Sequence, residues 1–275
     1  MNKEKFLSLI PGHVGGFSKM KYVGRLKKVI YGLFGRSGIE LIGRIGNWQC
    51  ARQCQAEYAN QRIECRNERF VEYSFLFRQI ARLYPERILD VGTGTSAIPH
   101  VMRNCGFHVT AIDNIKDYWP CGMTNRHYHV INDDITQSRL NDSFDLVSCI
   151  SVLEHIPCHR KAIENIFRLL KPGGHLVLTC PYTEGRYITN CYGVPGSDAF
   201  GKTLPFVCQS FSRETMTDWM KQVNSVVVEQ EYWQFYTGPC WSVGEYLAPP
   251  KIVEADELHQ ITCVLIRKSY EGGQI

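Results

Sequence analysis

The stretch ILDVGTGTS, residues 88–96, places a carboxylate, Asp90, two residues ahead of Gly92, and Gly94 follows at once. A glycine turn that opens a helix offers backbone N–H donors and a positive dipole end, a combination suited to phosphate. Asp90 at the strand tip would repel a diphosphate. The third glycine of G-x-G-x-x-G is also missing, because Gly94 is followed by Thr95, Ser96 and Ala97. A ligand carrying an ammonium or sulfonium turns the carboxylate into an asset, so the stretch suits a cationic, amino-acid-bearing cofactor. For proton transfer the best placed side chain is His155 in "LEHIP", whose imidazole titrates near neutrality. His127, His129 and Tyr182 are the other candidates.

These residues need elements to hold them. An amphipathic helix is expected from about Tyr58 to Leu83, with Ile63, Phe70, Val71, Phe77 and Ile80 at three-to-four spacing and Pro85 beyond its end. From Arg87 the chain alternates. RILDV, HVTAIDN, YHVIND, FDLVSCIS and HLVLTCP read as strands, separated by the helices SAIPHVMRNC and CHRKAIENIFRLL, the latter closed by KPGG. Ser96 reads as the N-cap of a helix beginning at Ala97. SFSRETMTDWMKQV resumes helix with Ser212 as N-cap, and SVVVEQEYWQF and HQITCVLIRKS complete seven strands. Near-continuous apolar strands alternating with helices imply an α/β fold with helices on both faces of a doubly wound sheet. Ligands in such sheets sit at the carboxyl ends of the strands, so each strand's following loop is where function belongs.

Taken together, the motifs resemble class I S-adenosylmethionine-dependent methyltransferases, in which an acidic residue precedes a G-x-G-x-G-type loop; Ser96 departs from the third glycine. Asp113 ends the second predicted strand, 23 residues after Asp90, where an acid can bind both ribose hydroxyls of a nucleoside. In the family an acid after the third strand accepts from the adenine amino group; Asp134, eleven residues before Asp145, fits that interval better than Asp133. SFDLVSCISVLEHIP followed by LLKPGGHLVL is similar to the fourth and fifth strands of the group acting mostly on small molecules, lipids and sugars. The resemblance implies a Rossmann-like sheet of seven strands, mostly parallel with an antiparallel last strand. It implies S-adenosylmethionine as cofactor, held by Asp90, Gly92, Gly94, Asp113, Asn114, Asp133, Asp134, Ile135 and Ser151. It also implies O-methylation of a sugar, glycan precursor or small metabolite, with His155 as base. The planar-amine motifs N-P-P-Y and D-P-P-Y, the Pro-Cys pair of cytosine C5 enzymes and the paired glutamates of arginine methyltransferases do not occur at the fourth strand. An RNA or protein acceptor, or a catalytically inactive cofactor-binding partner protein, are the rival readings.

At 275 residues the chain fits one α/β domain with an extension. Its net charge of +4 is uneven: nine Lys/Arg stand against Glu4 and Glu40 in the first 50 residues, giving +7 there and −3 in the remainder. Residues 1–57 read as a basic, glycine-rich extension in which long regular helix is not expected before residue 48. Residues 58–270 read as the methyltransferase domain, with 182–210 as an acceptor-recognition insert rich in Tyr182, Tyr187, Tyr192, Phe200 and Phe206. Charges interleaved with apolar residues over 19–48 suit a lid or cap or peripheral contact with an anionic membrane surface; nucleic acid is the least favoured partner. Twelve cysteines without a C-x-x-C pair read mostly as reduced core residues, and no metal site is expected. No apolar run approaches 18 residues, so a cytoplasmic location is expected, with a peripheral place at the inner face of a membrane as the alternative.

Overall fold

A computed structural model describes residues 40–41, 43–52, 54–56, 58–59, 67–115, 125 and 127–270. The chain divides into two compact units between Arg66 and Asn67. In the first unit the described residues from 40 to 59 are helical, which corrects the expectation of no long helix before residue 48. Leu41, Ile45 and Trp48 recur at helical spacing but are exposed, and the helix forms although each interior glycine costs roughly 1 kcal/mol. Most of the basic segment 19–48 lies outside the described residues.

The second unit carries the alternating pattern. Its helix α1 runs Arg69–Leu83, followed by β1 (Arg87–Val91), α2 (Ile98–Asn104), β2 (His108–Asp113), β3 (Val130–Asn132) and β4 (Phe144–Ile150). Then come α3 (His159–Leu169), β5 (Leu170–Thr183), β6 (Phe211–Ser212), α4 (Arg213–Gln222), β7 (Ser225–Tyr236), β8 (Tyr246–Val253) and β9 (Ile261–Lys268). The strand order is β3-β2-β1-β4-β5-β9-β7-β8, with the short β6 pairing β5. The first five are parallel; β9 runs antiparallel between β5 and β7, and β8 is antiparallel to β7. This is the expected Rossmann-like sheet with β8 and β6 added.

Apolar strands become sheet because both of their faces are covered. In β4 the residues alternate: Val147 and Cys149 pack toward α3 and α4, whereas Leu146 and Ile150 pack with Phe75 and Leu76 of α1 and Met102 of α2. Burying each such side chain contributes about 1.5–3 kcal/mol.

Local differences from the sequence reading have physical causes. The helix expected over 58–83 is not one element: residues 58 and 59 are helical in the first unit, residues 67 and 68 are not, and α1 begins at Arg69. KPGG does not end a helix in a turn but sits at the start of β5, where the register against β4 slips between Phe144 and Leu146. Gly173 there has φ +76°, and a Cβ at Gly174 would lie 2.9 Å from the Lys171 carbonyl, so the bulge needs both glycines. Ser96 sits one residue before the N-cap position of α2, yet its Oγ accepts from the Ile98 N–H at 3.1 Å and so performs the capping. Ser212 caps α4 as expected.

Candidate active site

The strand order reverses between β1 and β4, and the carboxyl ends of parallel strands at such a point leave a crevice. A cavity of about 690 Å³ opens there. Gly92 follows β1, Asp113 ends β2 with Asn114 beyond it, Asp133–Thr136 follow β3, and Ser151, Val152 and His155–Cys158 follow β4. Pro205 and Phe206 from the insert and Arg69 from α1 close it. A smaller cavity of about 310 Å³ shares Arg69, Gly92 and Ser151 with it and adds Asp90, Thr93 and Gly94. The residues expected to bind one ligand, drawn from four strand ends, are thereby brought together.

The turn after β1 is built on positive φ. Gly92 has φ +71° and Gly94 φ +57°. A Cβ on Gly92 would meet both Val152 methyls at 2.3–2.4 Å, so the backbone of this turn and the segment after β4 touch directly. The Asp90 carboxylate is buried beneath the turn, where Ser148 Oγ and Thr93 Oγ1 each donate to it at 2.7 Å. Burial pushes its pKa up to about 6, against the pull of those two hydrogen bonds. A carboxyl whose pKa rises on folding adds stability while protonated and loses it as pH climbs through the folded value. Asp90→Asn is therefore expected to be more stable than the native protein above pH 6, by about 3 kcal/mol, and the gap to close between pH 6 and 4. Thermal denaturation of both proteins across that range reads the difference; a gap that does not change with pH would refute the assignment.

Asp113 faces the larger cavity, with one carboxylate oxygen accepting from the Gly94 N–H at 2.8 Å. Burial raises its pKa as well. Asp134 caps the short helical turn Ile135–Gln137, its Oδ1 accepting from Thr136 N and Oγ1 at 2.8 Å and its Oδ2 from the Gln137 amide at 3.2 Å. Asp133 is nearly inaccessible and takes the Ser138 hydroxyl at 2.6 Å and the Arg139 N–H. Both neighbouring acids are engaged with their own loop, Asp134 by three hydrogen bonds and Asp133 by two donors with the Arg139 guanidinium 3.6 Å away.

Ser151 stands immediately beyond β4 with φ +47°, a left-handed conformation that costs a non-glycine residue about 1–2 kcal/mol. Its N–H bonds the Thr179 carbonyl, and its hydroxyl donates to Glu72 Oε1 at 2.5 Å. His155 follows in a single helical turn. Its Nδ1 lies 2.6 Å from the Val207 carbonyl, which can only accept, so Nδ1 carries the hydrogen and the lone pair is on Nε2. Phe206 packs edge-on at 5.1 Å. Burial lowers the His155 pKa. The neighbouring Glu154 is buried, which holds its pKa well above the ordinary value, and its Oε2 finds no hydrogen-bond partner among the described residues. Glu154 Oε1 and His155 Nε2 are 3.9 Å apart. Burial disfavours the charged form of each, which opposes an ion pair between them. The other proton-transfer candidates do not line the cavity: His127 and His129 are exposed, and Tyr182 is packed in the core against His259.

Sequence patterning did not single out Arg69, Glu72, Val152 or Pro205. Glu72 is fully buried on α1 and accepts from Arg69 Nη1 at 2.7 Å as well as from Ser151 and from Thr179 Oγ1 at 2.6 Å. Cys149, Cys180, Cys191, Cys208, Cys240 and Cys263 are buried thiols. Among the described residues no helix is long and apolar enough to cross a membrane.

Comparison with known proteins agrees with this arrangement. The chain is 31% identical over 106 residues to a ubiquinone biosynthesis O-methyltransferase of Aeromonas salmonicida, covering 35% of this chain and 44% of that one. It is 36% identical over 100 residues to the enzyme of the same name from Alkalilimnicola ehrlichii, covering 34% and 40%. The match thus spans less than half the length of these relatives. Among solved structures, StiE O-MT superposes with a TM-score of 0.50 at 14% identity, covering 78% of this chain and 80% of that one, which is a likeness of fold. A sequence model described as a methyltransferase domain matches residues 61–230. With that match running over well more than half of its length, the chain belongs to the methyltransferase domain family.

Proposed function

We propose that this protein binds S-adenosylmethionine and methylates a hydroxyl oxygen of a small-molecule acceptor, the class that includes sugars and glycan precursors. One observation carries the reading. A single cavity is lined by the strand-tip acids Asp113, Asp133 and Asp134, by Gly92 and by the oriented imidazole of His155. Its volume of about 690 Å³ is in the range of pockets that take a cofactor-sized molecule. Where Gly92 passes, no side chain could stand, so a ligand can approach the backbone closely. The smaller cavity offers Asp90 to an ammonium, because each of its oxygens accepts only one hydroxyl and has capacity for another bond. Among the described residues lining either cavity Arg69 is the one Lys or Arg, and it suits an amino-acid carboxylate.

On this reading Asp113 takes the ribose hydroxyls with the oxygen not bonded to Gly94. Asp134 and Ile135 flank the adenine, with Asn114 and Asp133 shaping the same end. S-adenosylmethionine, when bound, supplies a methyl group on a positively charged sulfur. The chain's own work is to align an acceptor oxygen with that group, which is worth roughly 7–11 kcal/mol when well oriented, and to take the hydroxyl proton. His155 Nε2 takes it, while the Val207 carbonyl fixes the ring's orientation. Pro205 and Phe206 bring the 182–210 insert to the acceptor end. The names of the relatives, O-methyltransferases, support an oxygen acceptor.

Asp113→Ala is expected to weaken S-adenosylhomocysteine binding by about 10- to 100-fold, the loss of a charged acceptor for two hydroxyls. Isothermal titration calorimetry of both proteins measures it. Failure of the native protein to take up S-adenosylhomocysteine, or a preference for NADH, would end the reading.

A further inference from the structure

The Arg69 guanidinium has to stand in one place to serve both cavities, and α1 alone does not put it there. Its side chain is about one-third exposed, and a long exposed side chain samples many rotamers. Glu68 Oε1 stands 4.0 Å from Nη1, at the limit of an ion pair, and one fully buried group restricts the guanidinium more closely. Glu72, three residues on, points the same way from α1, and its two oxygens divide their duties. Oε2 receives Arg69 Nη1 at 2.7 Å, while Oε1 receives the Ser151 hydroxyl at 2.5 Å and the Thr179 hydroxyl at 2.6 Å. Ser151 follows β4 and Thr179 lies in β5, so Oε1 is tied to two adjacent central strands. The Ile150 carbonyl adds a weaker contact to Nη1 at 3.4 Å. Among the described residues no hydrogen bond occupies Arg69 Nε or Nη2.

We infer that Glu72 is a positioning residue for the cofactor: it transmits the location of the β4 and β5 tips to Arg69, holding the guanidinium's remaining donors toward the amino-acid carboxylate of the bound molecule. This rests on the cofactor reading above. Glu72 touches neither cavity, and it acts only through Arg69 and Ser151. The left-handed Ser151 belongs to the same device, since its hydroxyl reaches Glu72 from that backbone conformation.

The consequence is selective. A ligand with an amino-acid carboxylate depends on Glu72, and a ligand without one does not. Glu72→Gln keeps the size of the side chain and an oxygen for the two hydroxyls, but sets an amide N–H₂ against the donating Nη1. S-adenosylhomocysteine is expected to bind Glu72→Gln about tenfold more weakly than the native protein, whereas 5′-methylthioadenosine, which lacks the amino-acid end, keeps its affinity. Arg69→Ala should show the same discrimination, and the double variant should be no weaker than Arg69→Ala alone, because the two residues act as one unit. Should Glu72→Gln not fold, Glu72→Asp keeps the charge but withdraws it by one methylene, and the same pair of titrations applies. Equal loss of both ligands in a folded variant would make Glu72 a general support of the pocket and overturn the inference, as would unchanged S-adenosylhomocysteine binding. If the native protein bound neither ligand, the cofactor reading itself would fail, which is a separate outcome.

Discussion

His155→Gln is expected to lower kcat by about 10²- to 10⁴-fold, the usual contribution of a positioned general base, while S-adenosylhomocysteine affinity stays at the native level. The split follows from the proposed roles: His155 lines the cavity in the segment after Val152, packed against Phe206, and is not among the residues proposed to hold the cofactor. Gln preserves a polar group of similar reach but cannot take a proton. The pH profile provides the independent readout. Burial lowers the His155 pKa from its ordinary value of 6.5, so the imidazole is neutral and competent at pH 7. The native kcat/KM should therefore rise with pH on the acid side and level off below pH 6.5, and that limb should be missing in His155→Gln. The buried acid Glu154, at 3.9 Å, is the group that the imidazolium would meet once the proton has moved. A variant with near-native kcat and an unaltered acid limb would show that the acceptor loses its proton directly to water, and His155 would be a wall of the pocket only.

How much of this could be read from the chain depended on whether the signal was local. Asp90, Gly92 and Gly94 lie within five residues, and a strand, a turn and a helix start leave a recognisable run in sequence. Asp113 and Asp134 could be placed because parallel strands return at regular intervals to the same sheet edge. Arg69 and Glu72 left no such trace. Glu72 meets Thr179, 107 residues away, and beside Phe70 and Val71 it passes for the solvent side of an amphipathic helix. Only the sheet's arrangement makes it a buried junction. β8 escaped for a different reason: Pro249 and Pro250 argue against a strand, but β8 lies at the sheet's edge, where a missing N–H leaves no ladder unsatisfied. At Asp90 the local run of residues shows the strand-tip carboxylate but not its surroundings. The sequence presents a charge open to a ligand, whereas burial raises its pKa to about 6 and two hydroxyls share its oxygens. The carboxylate that would greet an ammonium is thus one whose ionisation the fold resists, and the positive charge of the ligand would pull the proton off it.

The second large effect concerns Gly92, and its size comes from two independent costs. An alanine there must hold φ at +71°, which costs an L-residue about 1–2 kcal/mol. Its Cβ must also displace Val152, whose methyls lie 2.3–2.4 Å from the ideal Cβ position; overpacking of that kind costs about 1–3 kcal/mol. Neither cost can be relieved by turning the peptide, because the Gly92 N–H is committed to the Ile112 carbonyl at 2.9 Å and Thr93 N–H to the same oxygen at 3.3 Å. Gly92→Ala is therefore expected to destabilise the protein by about 2–5 kcal/mol, a large part of the 5–15 kcal/mol typical of a domain. It should also weaken S-adenosylhomocysteine binding more than tenfold at temperatures where the variant is folded, since moving Val152 shifts the segment leading to His155 and fills the close-approach point. Gly94→Ala is the comparison. Gly94 has a similar φ of +57° but open space where its Cβ would go, so it carries only the backbone cost. Adding Val152→Ala to Gly92→Ala should recover part of the affinity and leave the backbone strain in place. Denaturant titration and calorimetry on the four proteins test the ordering. If Gly92→Ala and Gly94→Ala lost stability and affinity equally, or if Val152→Ala gave no recovery, the contact between the first turn and the segment after β4 would not be what shapes the cavity.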